Sequence, residues 1–130
     1  MSMINIQPPK ADVTITQRKQ EITGDEAVIK PLYGFIDLYE IPRDKGGIIQ
    51  FFNHSGDLLF VGKARKLRQR VKKHFEDNVS PLKNHRDEVY RITVSIVEDP
   101  MERDIYETYL INAHKAKYNV EKVFYQEQEK

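Results

Sequence analysis

The sequence has no cysteine, which excludes disulfides, thiolate nucleophiles and zinc–thiolate sites together and leaves only oxygen or histidine to hold a metal. It also lacks any apolar run near the roughly 18 residues that a bilayer-crossing helix needs, and its start carries no charged, apolar leader. The expected setting is the cytoplasm, without membrane contact. With 130 residues, 39% hydrophobic and 32% charged, there is material for one core and not for two of ordinary size.

Acids are missing from one stretch in particular. Between Lys63 and Lys73 there are none, and Lys63, Arg65, Lys66, Arg68, Arg70, Lys72 and Lys73 supply seven of the 21 basic residues. The other 14 face 20 acids, so a formal net charge of +1 conceals a basic segment on an otherwise acidic chain. A concentrated basic surface suits a polyanion; on charge alone, a solvated helix face is the competing reading.

Residues 1 to 30 are polar and irregular, with Pro8, Pro9 and Gly24 as punctuation and a short strand expected over Val13–Ile15. PLYGFIDLYEIP, residues 31–42, is a lead-in whose Tyr33, Phe35, Leu38 and Tyr39 are expected to pack on the core. GIIQFF and DLLFVG are strand-length runs joined by the polar turn NHSG, which predicts a hairpin. Leu67, Val71 and Phe75 recur every four residues and predict a helix with a narrow buried stripe. From Val89 to Val97, Tyr90, Ile92, Val94 and Ile96 alternate with Arg91, Thr93 and Ser95, the period of a half-buried strand. A second helix is signalled by EDPME, with Asp99 as cap, Pro100 at the first helical position and Glu102 three after the cap. Its apolar stripe is expected to be Ile105, Tyr106, Tyr109, Leu110, Ala113 and Ala116. The order β-β-α-β-α predicts an α+β fold, a small antiparallel or mixed three-stranded sheet flanked by helices, behind an N-terminal extension. Residues 1–40 read as arm and lead-in, 41–120 as the domain and 121–130 as a tail that packs Val123 and Phe124 on the core.

On the second helix Glu107 falls between Leu110 and Ile111 rather than in the middle of the polar face. An acid there needs a nearby charge to offset desolvation, which either a metal ion or a basic side chain can supply.

The stretch GGIIQFFNHSGDLLFVGKARKLRQRVKKHF, followed by ETYLINAHKAKYNV, resembles a GIY-YIG nuclease domain. It is most similar to the amino-terminal, 3′-incising domain of the excision-repair nuclease subunit UvrC. The features that recur in order are the paired strands, Gly62 and Lys63, Leu67, Arg70, Glu107, and Lys117-Tyr118-Asn119. The resemblance implies cleavage of DNA phosphodiesters with one divalent cation, Mg2+ or Mn2+. It implies Glu107 as the metal ligand, Arg70 beside the scissile phosphate, Lys63 as the active-site lysine and Asn119 as a supporting residue. That chemistry fits: a carboxylate with bound waters is a typical Mg2+ site, and a guanidinium pairs bidentately with phosphate. Arg65, Lys66, Arg68, Lys72 and Lys73 would then contact DNA phosphates.

The family is named for two strand tyrosines that belong to its water-activating apparatus, and here those positions read Ile49 and Phe60. Phe60 can preserve packing but exchanges no proton, and Ile49 makes no side-chain hydrogen bond. A positioned base contributes about 10² to 10⁴ in rate. Lys63, His54, Tyr33 and Tyr39 are the candidates to replace it, while His74, His85 and His114 read as surface or helix-edge histidines. Two functions follow: a metal-dependent DNA endonuclease related to nucleotide excision repair, or a catalytically weak DNA-binding module on the same scaffold. A protein-interaction adaptor using the acidic remainder is the bland alternative. Target selection would come from the N-terminal extension or from a DNA-repair or targeting partner.

Overall fold

The backbone of Gly47 approaches the neighbouring strand so closely that a β-carbon there would lie 1.9 Å from the Ser95 carbonyl oxygen. That contact fixes how the sheet is assembled. A computed structural model describes residues 6–125, with strands β1 (Val13–Thr16), β2 (Gly47–Phe52), β3 (Leu58–Ala64) and β4 (Arg91–Ile96) and helices α1 (Leu67–Glu76) and α2 (Pro100–His114). The strands form one antiparallel sheet in the order β1-β4-β2-β3. The fold is α+β, and the sheet has four strands rather than three. The fourth is β1, which comes from the extension and pairs Val13 with Val94.

The hairpin forms where expected. Asn53 Oδ1 accepts the Ser55 and Asp57 amides, and Gly56 takes φ 88°, a region that glycine enters without steric cost. Helix α2 starts as its sequence signals, with Asp99 accepting the Met101 and Glu102 amides and Pro100 in the first turn.

Both faces of the sheet are covered. One carries Ile49, Phe51, Phe60, Ile92 and Val94 against Leu67, Val71 and Phe75 of α1. The other carries Ile48 and Val61 against Leu110 and Ile111 of α2. This corrects the reading of β4 as half-buried: it is an interior strand, and Thr93 and Ser95 are buried along with Ile92 and Val94. The stripe on α2 also differs. Leu110, Ile111 and Ala116 are buried and Tyr106 and Tyr109 pack at the margin, but Ile105 and Ala113 are exposed, and Arg103 takes a buried position instead.

In the lead-in, Phe35 and Leu38 join the core and Tyr33 stacks on Phe75 at 5.4 Å, whereas Tyr39 is exposed. Asp37, buried, receives both Arg18 nitrogens at 2.7 and 2.8 Å and ties the extension to this segment. Val123 packs against the α2 side and Phe124 does not. Residues 126–130 of the tail lie outside the described residues. Among the described residues, no helix is long and apolar enough to cross a membrane.

Candidate functional site

Strand β3 runs directly into α1 through Arg65 and Lys66, and this junction makes one wall of an open cleft of about 800 Å³. Lys63, Arg65, Lys66, Arg70 and Lys73 line it, with Arg103 and a lone acid, Asp44. Lys66, Gln69, Arg70 and Lys73 recur at three- and four-residue spacing, so they share one helix face, while Leu67, Val71 and Phe75 anchor the opposite one. Among the described residues, the side chains of Arg65, Lys66, Arg70, Lys72 and Lys73 make no hydrogen bond or ion pair with protein groups. Arg103 was not foreseen: its buried guanidinium donates to the Ala64 carbonyl at 3.1 Å and lies over Gly46, where a β-carbon would collide with it.

Arg68 does not belong to this surface. Its guanidinium donates to the Ile41 carbonyl at 2.8 Å and the Tyr39 carbonyl at 2.6 Å, so it fastens the lead-in to α1 and, unlike Arg70 and Lys73, is already engaged by protein groups. Lys72 is exposed but points outside the cleft lining.

Glu107 sits on the sheet-facing margin of α2, as the helical wheel predicts, with its side chain only 13% exposed. Its partner is the ammonium of Lys122, 2.8 Å from Oε1. The same ammonium contacts Asp104, and Asp104 also receives Lys63 at 2.6 Å. Lys63, Asp104, Lys122 and Glu107 therefore form a continuous alternation of charge. Hydrogen bonds from Lys122 and Lys63 hold the Asp104 carboxyl down to about 2. Burial opposes the charge on Lys122, but Asp104 and Glu107 outweigh it and keep that ammonium above the ordinary lysine value. Of the two ways to offset the charge of Glu107, the structure shows a basic partner, Lys122. Asp104 and Lys122 were missed because the first looks like any polar-face acid and the second lies in the tail.

Asn119 occupies the outer edge of β3. Its Oδ1 accepts the Val61 amide and its Nδ2 donates to the Val61 carbonyl, both at 2.9 Å. It thus clamps the backbone between Phe60 and Lys63.

Ile49 and Phe60 lie on the α1 side of the sheet, Ile49 fully buried opposite Gly62 and Phe60 nearly so. Of the candidate bases, Lys63 lines the cleft. His54 instead stacks on Tyr90 at 3.9 Å, Tyr33 lies against Phe75, and Tyr39 is exposed on the lead-in. His74 is not a surface histidine. It is buried between Phe51 and Phe60, with Nδ1 2.7 Å from Ser80 Oγ. Burial, and then the nearby Arg70 charge, lower its pKa to about 4, so it is neutral at neutral pH. The signal was present in the spacing, since residue 74 follows Val71 by three and borders the apolar stripe.

Among the described residues no three of histidine, cysteine, aspartate or glutamate cluster as a metal cage. Glu107, with Asp104 three residues earlier on the same helix and bridged to it through Lys122, offers hard carboxylate oxygens. Such a donor set fits a cation that keeps most of its water, as Mg2+ does.

The family of UvrC-like GIY-YIG domains matches residues 45–120. The uncharacterized protein YurQ of Bacillus subtilis is 63% identical over 123 residues, covering 95% of this chain and 99% of YurQ. The UvrABC system protein C of Nautilia profundicola is 36% identical over 85 residues, which are 59% of this chain and 14% of that protein; that of Clostridium tetani is 35% identical over 97 residues, 68% of this chain and 15% of that protein. The chain therefore spans a small part of the length of these UvrC proteins. In fold, it matches the GIY-YIG N-terminal endonuclease domain of UvrC from Thermotoga maritima bound to its catalytic divalent cation, magnesium. The TM-score is 0.56 at 23% identity, over 65% of this chain and 97% of that domain. A tyrosine-to-phenylalanine variant of that domain, also bound to its catalytic divalent cation, matches equally, with a TM-score of 0.56.

Proposed function

Because the chain belongs to the family of UvrC-like GIY-YIG domains, a nuclease family, we propose that it is a divalent-cation-dependent DNA endonuclease whose site is built on Lys63, Arg70, Glu107 and Asn119. The observation that carries this reading is the join between a cleft whose Arg65, Lys66, Arg70 and Lys73 have no protein partner among the described residues and the half-buried Glu107, linked through Lys63, Asp104 and Lys122. A phosphodiester backbone laid in the cleft would meet Lys66, Arg70 and Lys73 along one helix face, a contact made through phosphates and blind to sequence.

In this mechanism Arg70 holds the scissile phosphate and stabilises the charge that builds on its oxygens. Lys63 sits where the cleft meets α2 and can neutralise a leaving oxygen. Asn119 keeps the Gly62-Lys63 backbone in place through its two bonds to Val61. Glu107, with Asp104 beside it, would hold a Mg2+ or Mn2+ ion, which supplies Lewis-acid polarisation of the phosphate when bound. Residues 41–120 form the nuclease domain in this reading; the 1–40 extension contributes β1 to its sheet, and 121–130 is the tail. Action on damaged DNA, as part of nucleotide excision repair, would require a partner that selects the target. The setting would be the cytoplasm.

The test is nicking of supercoiled plasmid with Mg2+ or Mn2+. Glu107→Gln, which removes the charge and keeps the shape, is expected to abolish cleavage while DNA affinity and melting temperature stay near those of the parent. Cleavage that survives in that variant would count against the site.

The absence of phenols at positions 49 and 60 favours a second reading, a binding module that retains the scaffold. If Ile49→Tyr with Phe60→Tyr raises nicking by about 10² or more, the surrounding site is catalytically intact. An inert double variant that still melts cooperatively supports the binding module. Ile49 is fully buried, so its replacement risks about 1–3 kcal/mol of overpacking.

A further inference from the structure

Lys122 lies two residues beyond the family-matched segment, and its backbone is held in an unusual way. It takes φ 62°, a left-handed conformation that non-glycine residues adopt only when their surroundings impose it. The surroundings here are Asn112 of α2. Its Nδ2 donates to the Lys122 carbonyl at 2.8 Å and to the Thr108 carbonyl at 2.7 Å, while its Oδ1 accepts the amides of Phe124 and Tyr125. The turn at 122–125 is thereby fastened to the helix that carries Glu107. The Lys122 side chain is 30% exposed and lies across Asp104 and Glu107, its ammonium 2.8 Å from Glu107 Oε1.

We propose that Lys122 is a built-in counter-cation for the carboxylates of α2, and that a divalent ion reaches Glu107 only by displacing its ammonium. The proposal rests on reading Glu107 as the metal ligand. The two carboxylates share one ammonium between them and, among the described residues, have Lys63 as their only other cationic contact. A divalent ion held by Glu107 would lie within a few ångströms of the Lys122 ammonium on Oε1, and the repulsion of the two cations in a half-buried site is poorly screened. Metal affinity is thus set by the difference between two cations competing for one place. In the absence of metal, the ammonium prevents the repulsion of Asp104 and Glu107 from loosening the helix margin. When the ion arrives, Lys122 is released beside the cleft that Lys63 enters, and becomes one more cation available to a phosphate.

Mn2+ titrated into the full chain, with free Mn2+ followed by its electron paramagnetic resonance signal, tests this. Lys122→Met keeps the aliphatic stem and removes the charge; it is expected to tighten Mn2+ binding roughly tenfold, the size of one partly buried ion pair expressed as an equilibrium constant. Glu107→Gln should remove the binding in either background. Equal Mn2+ affinity in the parent and in Lys122→Met, with both sensitive to Glu107→Gln, would overturn the role of Lys122 and leave the metal reading standing. No Glu107-dependent binding in either protein would overturn the metal reading, and the proposal with it. A second measurement uses the unaltered chain, so it does not depend on the variant folding. Acetic anhydride labelling of Lys122, read by peptide mass spectrometry, should rise several-fold when Mn2+ saturates the site, with Lys10 as an internal reference. Unchanged labelling of Lys122 under Mn2+ saturation would refute displacement.

Discussion

Helices α1 and α2 both carry dense charge and handle it in opposite ways. On α1, Lys66, Arg70 and Lys73 look into the cleft with no protein partner among the described residues. On α2, Asp104 and Glu107 are held in a network with Lys63 and Lys122. Exposed, unpaired cations contribute little to folding and remain fully available to a polyanion, whereas paired charges are already committed to a geometry. The α1 surface can therefore be altered at small cost in stability, and the α2 surface cannot be altered without changing how its neighbours ionise. In the proposed function, the first treatment suits a binding face and the second a reaction centre.

The largest expected effect that sharpens this contrast is on rate. Arg70→Ala should lower phosphodiester cleavage by about 10² to 10³, the cost of removing one preorganised donor to a developing oxyanion, with a melting temperature within a degree or two of the parent. A single-turnover nicking assay beside a thermal melt checks it. A large drop in melting temperature would show that Arg70 is a structural residue like its neighbour Arg68.

Next in size is the pH dependence of stability, which tests the buried side of α1. Folded His74 stays neutral down to about pH 4, while the unfolded chain's histidine takes up a proton near pH 6.5. The unfolded state binds more protons between those values, so stability is lost as pH falls from about 6.5 to about 4, by up to about 3 kcal/mol. His74→Gln keeps an acceptor for Ser80 and should flatten the part of the profile above about pH 4.5. Below that, Asp104 and Glu98, whose pKa values are also held low, add their own loss. Urea unfolding at a series of pH values separates the two.

The smallest effect is on binding. Lys66→Gln with Lys73→Gln should weaken affinity for every duplex sequence alike and reduce the slope of log K against log salt by about 2, one unit per phosphate contact removed. Arg68→Met is the contrasting variant: it should leave that slope unchanged while lowering stability, because two carbonyls of the lead-in lose their donor. Fluorescence anisotropy across a salt series distinguishes them, and a normal slope for the double glutamine variant would remove α1 from the interface.

Local signals in this sequence were reliable where local physics decides. The Asp99-Pro100 start of α2, the Asn53-to-Gly56 turn and the Leu67, Val71, Phe75 stripe all depend on groups within a few residues of one another. What escaped is set by distance along the chain. The strand expected over Val13–Ile15 forms, but its place in the main sheet depends on β4, more than seventy residues later, offering a free edge. Thr93 and Ser95 are buried in a strand flanked by β1 and β2, and nothing in their own alternation announces that. The candidate site follows the same rule. Lys63, Arg70, Glu107 and Asn119 stand out through motif and spacing, whereas the pairing of Lys122 with Glu107 and the burial of His74 behind Phe60 arise from tertiary packing.

The clamp of Asn119 on Val61 has a consequence for association between molecules. Strand β3 ends the sheet on one side, and an open strand edge is a template on which another chain can add itself. Here the Lys117 and Tyr118 amides donate to the Leu58 and Leu59 carbonyls, and Asn119 continues with both groups of Val61. Three consecutive residues thus occupy the hydrogen-bonding positions that an intruding strand would need. A segment that steadies the candidate site also covers this border of the sheet against the addition of another strand.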